Sequence, residues 1–192
     1  MLIVRPHMNS APDNMREKLL LALSESDAMR RSERANRIEW LSLHSASYPM
    51  IMGRAETLRL IEEARGTFTD GHFVATLFVA MAFIEHALVE ELQLKGRTKG
   101  SPLFSQAIDM AIEVKLFPPD WLQRAKALSL RRNSFAHLKE SDHPHTLGAR
   151  VMEEKAHPVA IMEADAQEAI DLMFNFFVAT TREADLEAAF RE

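Results

Sequence analysis

The sequence predicts an all-α fold, an antiparallel bundle of four to five helices with extra helices at the N-terminal end. Two observations support this class. The 192 residues include only six glycines and eight prolines, and these helix-breaking residues fall between periodic stretches rather than inside them. The strong helix formers Ala, Leu, Met, Glu and Arg are abundant, whereas no stretch shows the sustained period-two alternation of a strand.

Three predicted helices precede the core of the bundle. The first follows Pro12 and the second ends before Pro49, because proline disrupts a helix interior. The third ends at Gly66, a residue type that commonly terminates helices. We therefore divide the chain into an N-terminal helical extension, 1–66, and a bundle, 67–192. The three predicted helices cover residues 13–24, 27–47 and 54–65.

The fourth predicted helix, Asp70 to about Leu94, belongs at the centre of the bundle. Apolar residues recur along it with helical spacing, and its opposite side is nearly as apolar as far as Phe83. A helix that is apolar on all sides is normally surrounded by other helices. The stripe consists of Phe73, Leu77, Ala80, Met81, Ile84, Leu88 and Leu92.

Three further helices complete the prediction. Ser101 and Pro102 supply an N-cap and a first-turn proline for a helix that reaches Leu116. Pro118 and Pro119 open the next helix. The three helices cover residues 101–116, 118–137 and 163–182, and a connector containing proline and histidine precedes the last of them.

Composition excludes several classes of protein. The chain has no cysteine, which rules out disulfides, thiolate metal sites and cysteine nucleophiles.

The apolar run Phe73–Ile84 is shorter than the roughly 20 residues that span a bilayer, and residues 1–10 do not resemble an export signal. We expect a cytoplasmic protein without membrane contact. No nucleotide-binding loop, serine-hydrolase elbow or zinc-protease motif occurs, so we predict no cofactor and no metal.

Charge is segregated along the chain, although the net charge is only −5. Residues 95–139 contain nine basic and three acidic residues, whereas residues 153–192 contain three basic and ten acidic ones. Such segregation suits an anion site, or two charged faces that meet in an oligomer. Solvated helix faces remain the simpler interpretation of the charge pattern alone.

Arg132 interrupts the buried stripe of the 118–137 helix. Trp121, Ala125, Leu128 and Phe135 mark that stripe, and Arg132 lies four residues after Leu128 and three before Phe135. Because a guanidinium cannot lose its charge, it must find a carboxylate, backbone carbonyls or a bound anion. The partner that the sequence offers is Glu85, which follows the apolar run of the central helix. Arg132 could therefore belong to a buried ion pair with Glu85 or to a functional site, and these residues alone do not decide between the two.

One histidine lies at the end of this segment, and a second group of histidines follows it in the sequence. His137 lies five residues after Arg132, so on a continuous helix the two side chains would point about 140° apart. They could converge if the helix ends near His137 or if a second subunit completes the site. We interpret the second group, His143 and His145 with Asp142 and His157 nearby, as a polar loop rather than a metal site.

The segment Arg132-Asn133-x-x-x-His137, at the end of a helix opened by two prolines, resembles the R-N-x-x-x-H form of the HEPN family motif. The apolar run that ends at Glu85 is similar to that family's central helix, and Asp165–Ile170 is similar to the start of its last helix. The resemblance covers about residues 70–181. It implies a helical bundle that is often a homodimer, with the motifs of two subunits facing each other.

The resemblance implies a metal-independent endoribonuclease, often a toxin or defence effector with an antitoxin or a nucleotidyltransferase-like partner protein. The residue types suit this chemistry, because the RNA 2′-hydroxyl attacks its own neighbouring phosphate. His137 would transfer protons, Arg132 would hold the phosphate and Asn133 would orient either group. Glu85 would support the site. Four further cations would attract the RNA backbone: Arg124, Lys126, Arg131 and Lys139.

Two other functions remain open. A non-catalytic module of the same fold would use the pocket to bind a nucleotide or a partner protein, and the overall acidity favours this reading. A purely structural helical adaptor would use Arg132 and Glu85 only as a core ion pair.

Overall fold

All secondary structure in the part of the chain that the structure describes is helical. The structure is a computed structural model that describes residues 10–44 and 55–180, and no strand occurs within those ranges. This confirms the all-α class. The helices are α1 (Ser10–His44), α2 (Ala55–Thr69), α3 (Phe73–Leu94), α4 (Phe104–Glu113), α5 (Pro119–Ala136), α6 (Leu147–Glu154) and α7 (Pro158–Thr180).

Helix α3 is the centre of the bundle, as its sequence predicts. It packs most extensively against α7 and α2, and it also contacts α4 and α5. All seven residues of its predicted stripe are buried. Phe83, on the opposite side, is buried as well and meets Phe177 of α7 edge to face, with ring centroids 6.2 Å apart.

Helix α3 is also long and apolar enough, by length and composition alone, to cross a membrane. Its most apolar window has a mean hydropathy of 1.7, and 56% of that window is buried inside the bundle. The core helix of a globular protein passes the same test. The shorter run used in the sequence analysis, Phe73–Ile84, therefore understates the apolar length of this helix.

The N-terminal helices differ from their predicted limits. Helix α1 runs without a break through residues 24–27, because that stretch contains neither proline nor glycine; residues 45–47 of the predicted helix lie outside the described residues. Helix α2 continues past Gly66 to Thr69. Ile61 and Phe68 of α2 are buried in the same core as α3, so part of the predicted extension packs within the bundle.

The prediction also misplaced two helix starts. Helix α4 begins at Phe104 rather than at Ser101, and the side chain of Gln106 accepts a hydrogen bond from the Leu103 N–H at 3.2 Å, which satisfies the helix start. Helix α7 begins at Pro158 rather than at Glu163, so the whole Asp165–Ile170 segment lies inside a helix and not at its start.

Helix α6 lies in the predicted connector and was not predicted from the sequence. It has only eight residues, and its N-cap is Thr146, whose Oγ1 accepts a hydrogen bond from the Ala149 N–H at 3.3 Å. The helix ends on Lys155, which adopts a left-handed conformation with φ 53°. Glycine is the usual residue in that conformation, and its absence removes the signal that would have marked the helix end.

Replacing Lys155 by glycine should stabilise the protein. A left-handed backbone costs a non-glycine residue about 1 kcal/mol, and glycine removes most of that cost, so Lys155→Gly should raise the free energy of unfolding in a urea titration by up to about 1 kcal/mol. The matched control is Lys95→Gly at the end of α3, where φ is −83°. This control should be neutral or destabilising, and equal effects of the two changes would contradict the prediction.

Candidate functional site

The Arg132–His137 segment lies at the C-terminal end of α5. Pro118 is the N-cap of this helix and Pro119 its first residue, as the prolines predict. The helix ends at Ala136, and His137 has an extended backbone with φ −134° and ψ 132°. The His137 N–H still donates to the Asn133 carbonyl oxygen at 3.0 Å. Because His137 has left the helix, the angular separation expected for a continuous helix does not apply to it.

Arg132 has no carboxylate partner among the residues that the structure describes. Its guanidinium lies over the ring of Phe78 on α3, with the guanidinium carbon 5.9 Å from the ring centroid. Its Nε is the one buried side-chain nitrogen or oxygen within residues 10–44 and 55–180 that has no hydrogen-bond partner. A buried guanidinium N–H without an acceptor costs free energy, so a hydrogen-bond acceptor placed beside this N–H would stabilise the protein.

Glu85 does not pair with Arg132, contrary to the ion pair considered in the sequence analysis. Phe78, which the Arg132 guanidinium covers, precedes Glu85 by seven residues, or about 10 Å along the helix. Glu85 is half-buried and borders a surface cavity between α2 and α3, with Glu56 and His86 among the other lining residues. Its position gives no evidence for a supporting role at Arg132.

Two of the four cations predicted to attract RNA are engaged with α7 instead. Arg131 Nη1 lies 3.0 Å from Asp165 Oδ1 and 2.8 Å from Glu168 Oε2. Arg124 Nη2 lies 2.7 Å from Asp171 Oδ2, and its Nε lies 3.6 Å from Glu168 Oε1. The other two predicted cations, Lys126 and Lys139, are exposed.

Asp165 lies at the centre of this ion-pair network. It is 2% exposed and also accepts two hydrogen bonds from Arg150 of α6, one of them between Nη2 and Oδ1 at 3.0 Å. Burial alone would lower the pKa of the Arg150 guanidinium, but the hydrogen bonds and charges of Asp165 and Glu154 outweigh burial and raise it. Asp165 therefore holds α5, α6 and α7 together through two charged arginines.

The loop between α5 and α6 places two histidines beside this network. The ring centroids of His143 and His145 are 5.5 Å apart, and the His145 N–H donates to Nδ1 of His143 at 3.3 Å. Burial lowers the pKa of His145, and the positive charges of His143, Arg131 and Arg150 lower it further. His145 is therefore more often neutral than an ordinary surface histidine at the same pH.

Asp165 and Arg150 were not singled out from the sequence for this role. Asp165 had a detectable signal, because it falls four residues after Ile161 and four before Ala169, on the core-facing stripe of α7. An acid on such a stripe needs a buried cation. Arg150 gave no comparable signal, since the helix that carries it was not predicted.

A scan against protein-family models, a search of curated proteins and a search of solved structures each gave no significant match. Among the described residues, no group of three or more histidine, aspartate or glutamate side chains is arranged to hold a metal ion.

Removing the Asp165 carboxylate should destabilise the protein strongly. Asp165→Ala leaves Arg150 without its buried partner, which costs about 3–5 kcal/mol, measurable as a lower free energy of unfolding in urea. The matched control is Asp171→Ala, because the side chains of Asp171 and Arg124 are 38% and 31% exposed; an exposed pair of this kind contributes at most about 1 kcal/mol. Similar losses in the two variants would contradict the central role of Asp165.

The lowered pKa of His145 predicts a loss of stability in acid. The unfolded chain binds a proton at His145 near pH 6.5, whereas the folded protein binds it only at lower pH. The contribution of His145 is therefore fully present above pH 6.5 and is lost as the pH falls through the folded-state pKa. His145→Gln should reduce the loss of unfolding free energy on acidification from pH 7.5 to 5.

The control for this pH experiment is His157→Gln, at an exposed histidine. The slopes of stability against pH for the two variants are compared between pH 7.5 and 5. If His145→Gln leaves the acid-side slope of the wild-type protein unchanged, the environment assigned to His145 is wrong.

Proposed function

We propose that this protein is a metal-independent endoribonuclease of the HEPN type, in which Arg132, Asn133 and His137 act on RNA. The observation that carries the proposal is the state of Arg132. Of the three arginines on α5, Arg124 and Arg131 bind carboxylates of α7, whereas Arg132 has a buried Nε with no acceptor among the described residues.

Arg132 suits a phosphate for two reasons. A guanidinium presents parallel N–H donors that match two phosphate oxygens. It can also stabilise the extra negative charge that develops when the 2′-hydroxyl attacks the phosphorus. The ring of Phe78 covers one face of the guanidinium and limits its exposure to water, which strengthens an interaction with an anion.

His137 supplies the proton transfer in this proposal. It is exposed at the end of α5, and the proposal requires it to lie beside the substrate that binds Arg132. An imidazole titrates near neutral pH and can take the 2′-hydroxyl proton or protonate the leaving 5′-oxygen. Asn133 lies one turn earlier and its carbonyl oxygen already accepts the His137 N–H, while its side-chain amide is left to orient the phosphate or the imidazole.

Substrate attraction and assembly complete the proposal. Lys126 and Lys139 are exposed cations near the motif in sequence and would contact the RNA backbone. Arg124 and Arg131 are paired with carboxylates, so they would contribute only the part of their positive charge that those carboxylates do not neutralise. Two copies of the chain would bring their motifs face to face in a homodimer. An antitoxin or a nucleotidyltransferase-like protein would be the partner that controls the activity.

The proposal predicts RNA cleavage in EDTA with loss of activity in two variants. The wild-type protein should produce fragments with 2′,3′-cyclic phosphate ends. His137→Ala should lower the cleavage rate by about 10²–10⁴-fold because acid–base help is lost, and Arg132→Ala by about 10²–10³-fold because charge stabilisation is lost. Gel analysis of end-labelled RNA measures the rate, and mass spectrometry identifies the ends.

The control is His157→Ala, an exposed histidine outside the motif, which should cleave at the wild-type rate. Arg132→Ala should also unfold at nearly the wild-type urea concentration, because no described carboxylate loses a partner. Absence of cleavage by the wild-type protein, or equal activity of His137→Ala, would reject the nuclease.

One observation favours a second function, a non-catalytic module that binds a nucleotide through the same arginine. Since α7 engages Arg124 and Arg131, the unpaired positive charge near Arg132 suits one phosphate better than a long RNA backbone. In a thermal-shift assay, a nucleoside monophosphate would then stabilise the wild-type protein but not Arg132→Ala, and RNA would stay intact. The Arg132–Glu85 ion pair that the adaptor hypothesis assumed does not form.

A further inference from the structure

The N-terminal part of α1 extends away from the bundle as a solvent-exposed helical arm. Every residue from Asn14 to Asn36 is exposed except Ser26, which is half-buried. Contact with the bundle begins at Arg34, whose Nε lies 3.2 Å from Asp70 Oδ1, and continues through the half-buried Arg37 and Trp40 to the buried Leu41. We call residues 14–36 the arm. An α-helix of this length extends about 34 Å.

The arm exposes an unusual amount of apolar surface for a helix in water. Six large apolar side chains on it are between 56% and 83% exposed. An isolated helix is only marginally stable in water, and most helices depend on packing of an apolar face. The arm therefore needs a binding partner that buries this apolar surface. The six side chains are Met15, Leu19, Leu20, Leu21, Leu23 and Met29.

One face of the arm has the spacing of a coiled-coil seam. Met15, Leu19, Ala22, Ser26 and Met29 follow one another at intervals of four, three, four and three residues, which is the a/d pattern of a heptad repeat. The next positions of this pattern are the exposed Glu33 and Asn36, and Trp40, which packs on the bundle, follows them. Leu20, Leu21 and Leu23 lie outside the seam.

The charges beside the seam are complementary to a second copy of the same helix. Lys18 and Glu25 occupy the same heptad position, one residue before Leu19 and Ser26 respectively, and so they flank the seam on the same side. In an antiparallel pair of helices, this flank of one helix faces the same flank of the other. When Leu19 lies opposite Ala22 of the second copy, Lys18 lies opposite the Glu25 of that copy, and the pairing occurs twice.

We propose that the arm binds the arm of a second copy of this chain as an antiparallel two-helix coiled coil. In the register set by Lys18 and Glu25, residue 10 of one copy lies beside residue 31 of the other. The two helices then overlap over residues 10–31, which is nearly the whole exposed arm. The small residues Ala22 and Ser26 face the larger Leu19 and Met15, so that the seam is filled evenly. Because the arms run antiparallel, the two bundles lie at opposite ends of the coiled coil. The arm contact is therefore separate from the face-to-face contact of the motifs proposed above, and it does not depend on the proposed nuclease function.

Cysteine crosslinking of the full-length protein tests the register, because the chain contains no cysteine of its own. Lys18→Cys and Glu25→Cys are prepared separately, one of them with a tag, then mixed and mildly oxidised. The mixture should form a disulfide-linked dimer of one tagged and one untagged chain at least about tenfold faster than either variant alone. The matched control mixes Glu17→Cys with Ser24→Cys, whose side chains point away from the seam.

Charge reversal provides an independent measurement by analytical ultracentrifugation. Lys18→Glu and Glu25→Lys should each weaken self-association by about tenfold, because two attractive pairs become repulsive, and the double variant should restore it. Equal crosslinking in the seam and control mixtures, or failure of the double variant to recover, would overturn the proposal. Binding of the full-length wild-type protein to lipid vesicles without self-association would overturn it as well.

Discussion

The buried carboxylate of Asp165 is the group on which the arrangement around the motif depends. It is nearly inaccessible to water and binds both Arg150 and Arg131. An ionised acid in that position is tolerated only when cations and hydrogen bonds compensate for its lost hydration. Because those cations come from α5 and α6, the carboxylate determines how the end of α5 lies on α7.

The same interaction separates the roles of two adjacent arginines. Side chains of neighbouring residues on a helix point about 100° apart. Once Arg131 turns towards α7, Arg132 must face another direction, and it lies over Phe78 on α3. The unpaired guanidinium at the motif is thus a consequence of the ion pairs beside it.

The ion pairs also explain the segregation of charge along the chain. The basic segment 95–139 includes α5, and the acidic segment 153–192 includes α7. Arg124 and Arg131 bind Asp165, Glu168 and Asp171 within one chain, so part of the opposite charge is neutralised inside the bundle. The charge pattern alone suggested an anion site, an oligomer contact or solvated helix faces, but not this pairing within one chain.

Local periodicity was sufficient to predict the core but not the contacts between helices. The stripe on α3 identifies the central helix because seven apolar residues with helical spacing require burial on several sides. Helix α6 escaped prediction because it is short and ends on a left-handed lysine. The Arg132–Glu85 pair, one of the two alternatives left open, does not form. Periodicity could not exclude it, because it gives the face of a residue and not its height along a neighbouring helix, where Phe78 and not Glu85 is level with the guanidinium.

The most direct test of the central claim follows the guanidinium Nε–H signals by ¹⁵N–¹H NMR during titration with a nucleoside 3′-monophosphate. If Arg132 is the phosphate-binding cation, its Nε–H signal should shift with saturation, while the signals of Arg131 and Arg150, whose guanidinium groups already bind carboxylates, should stay in place. A shift confined to Arg131 or Arg150, or no shift at Arg132 at saturating ligand, would contradict the account.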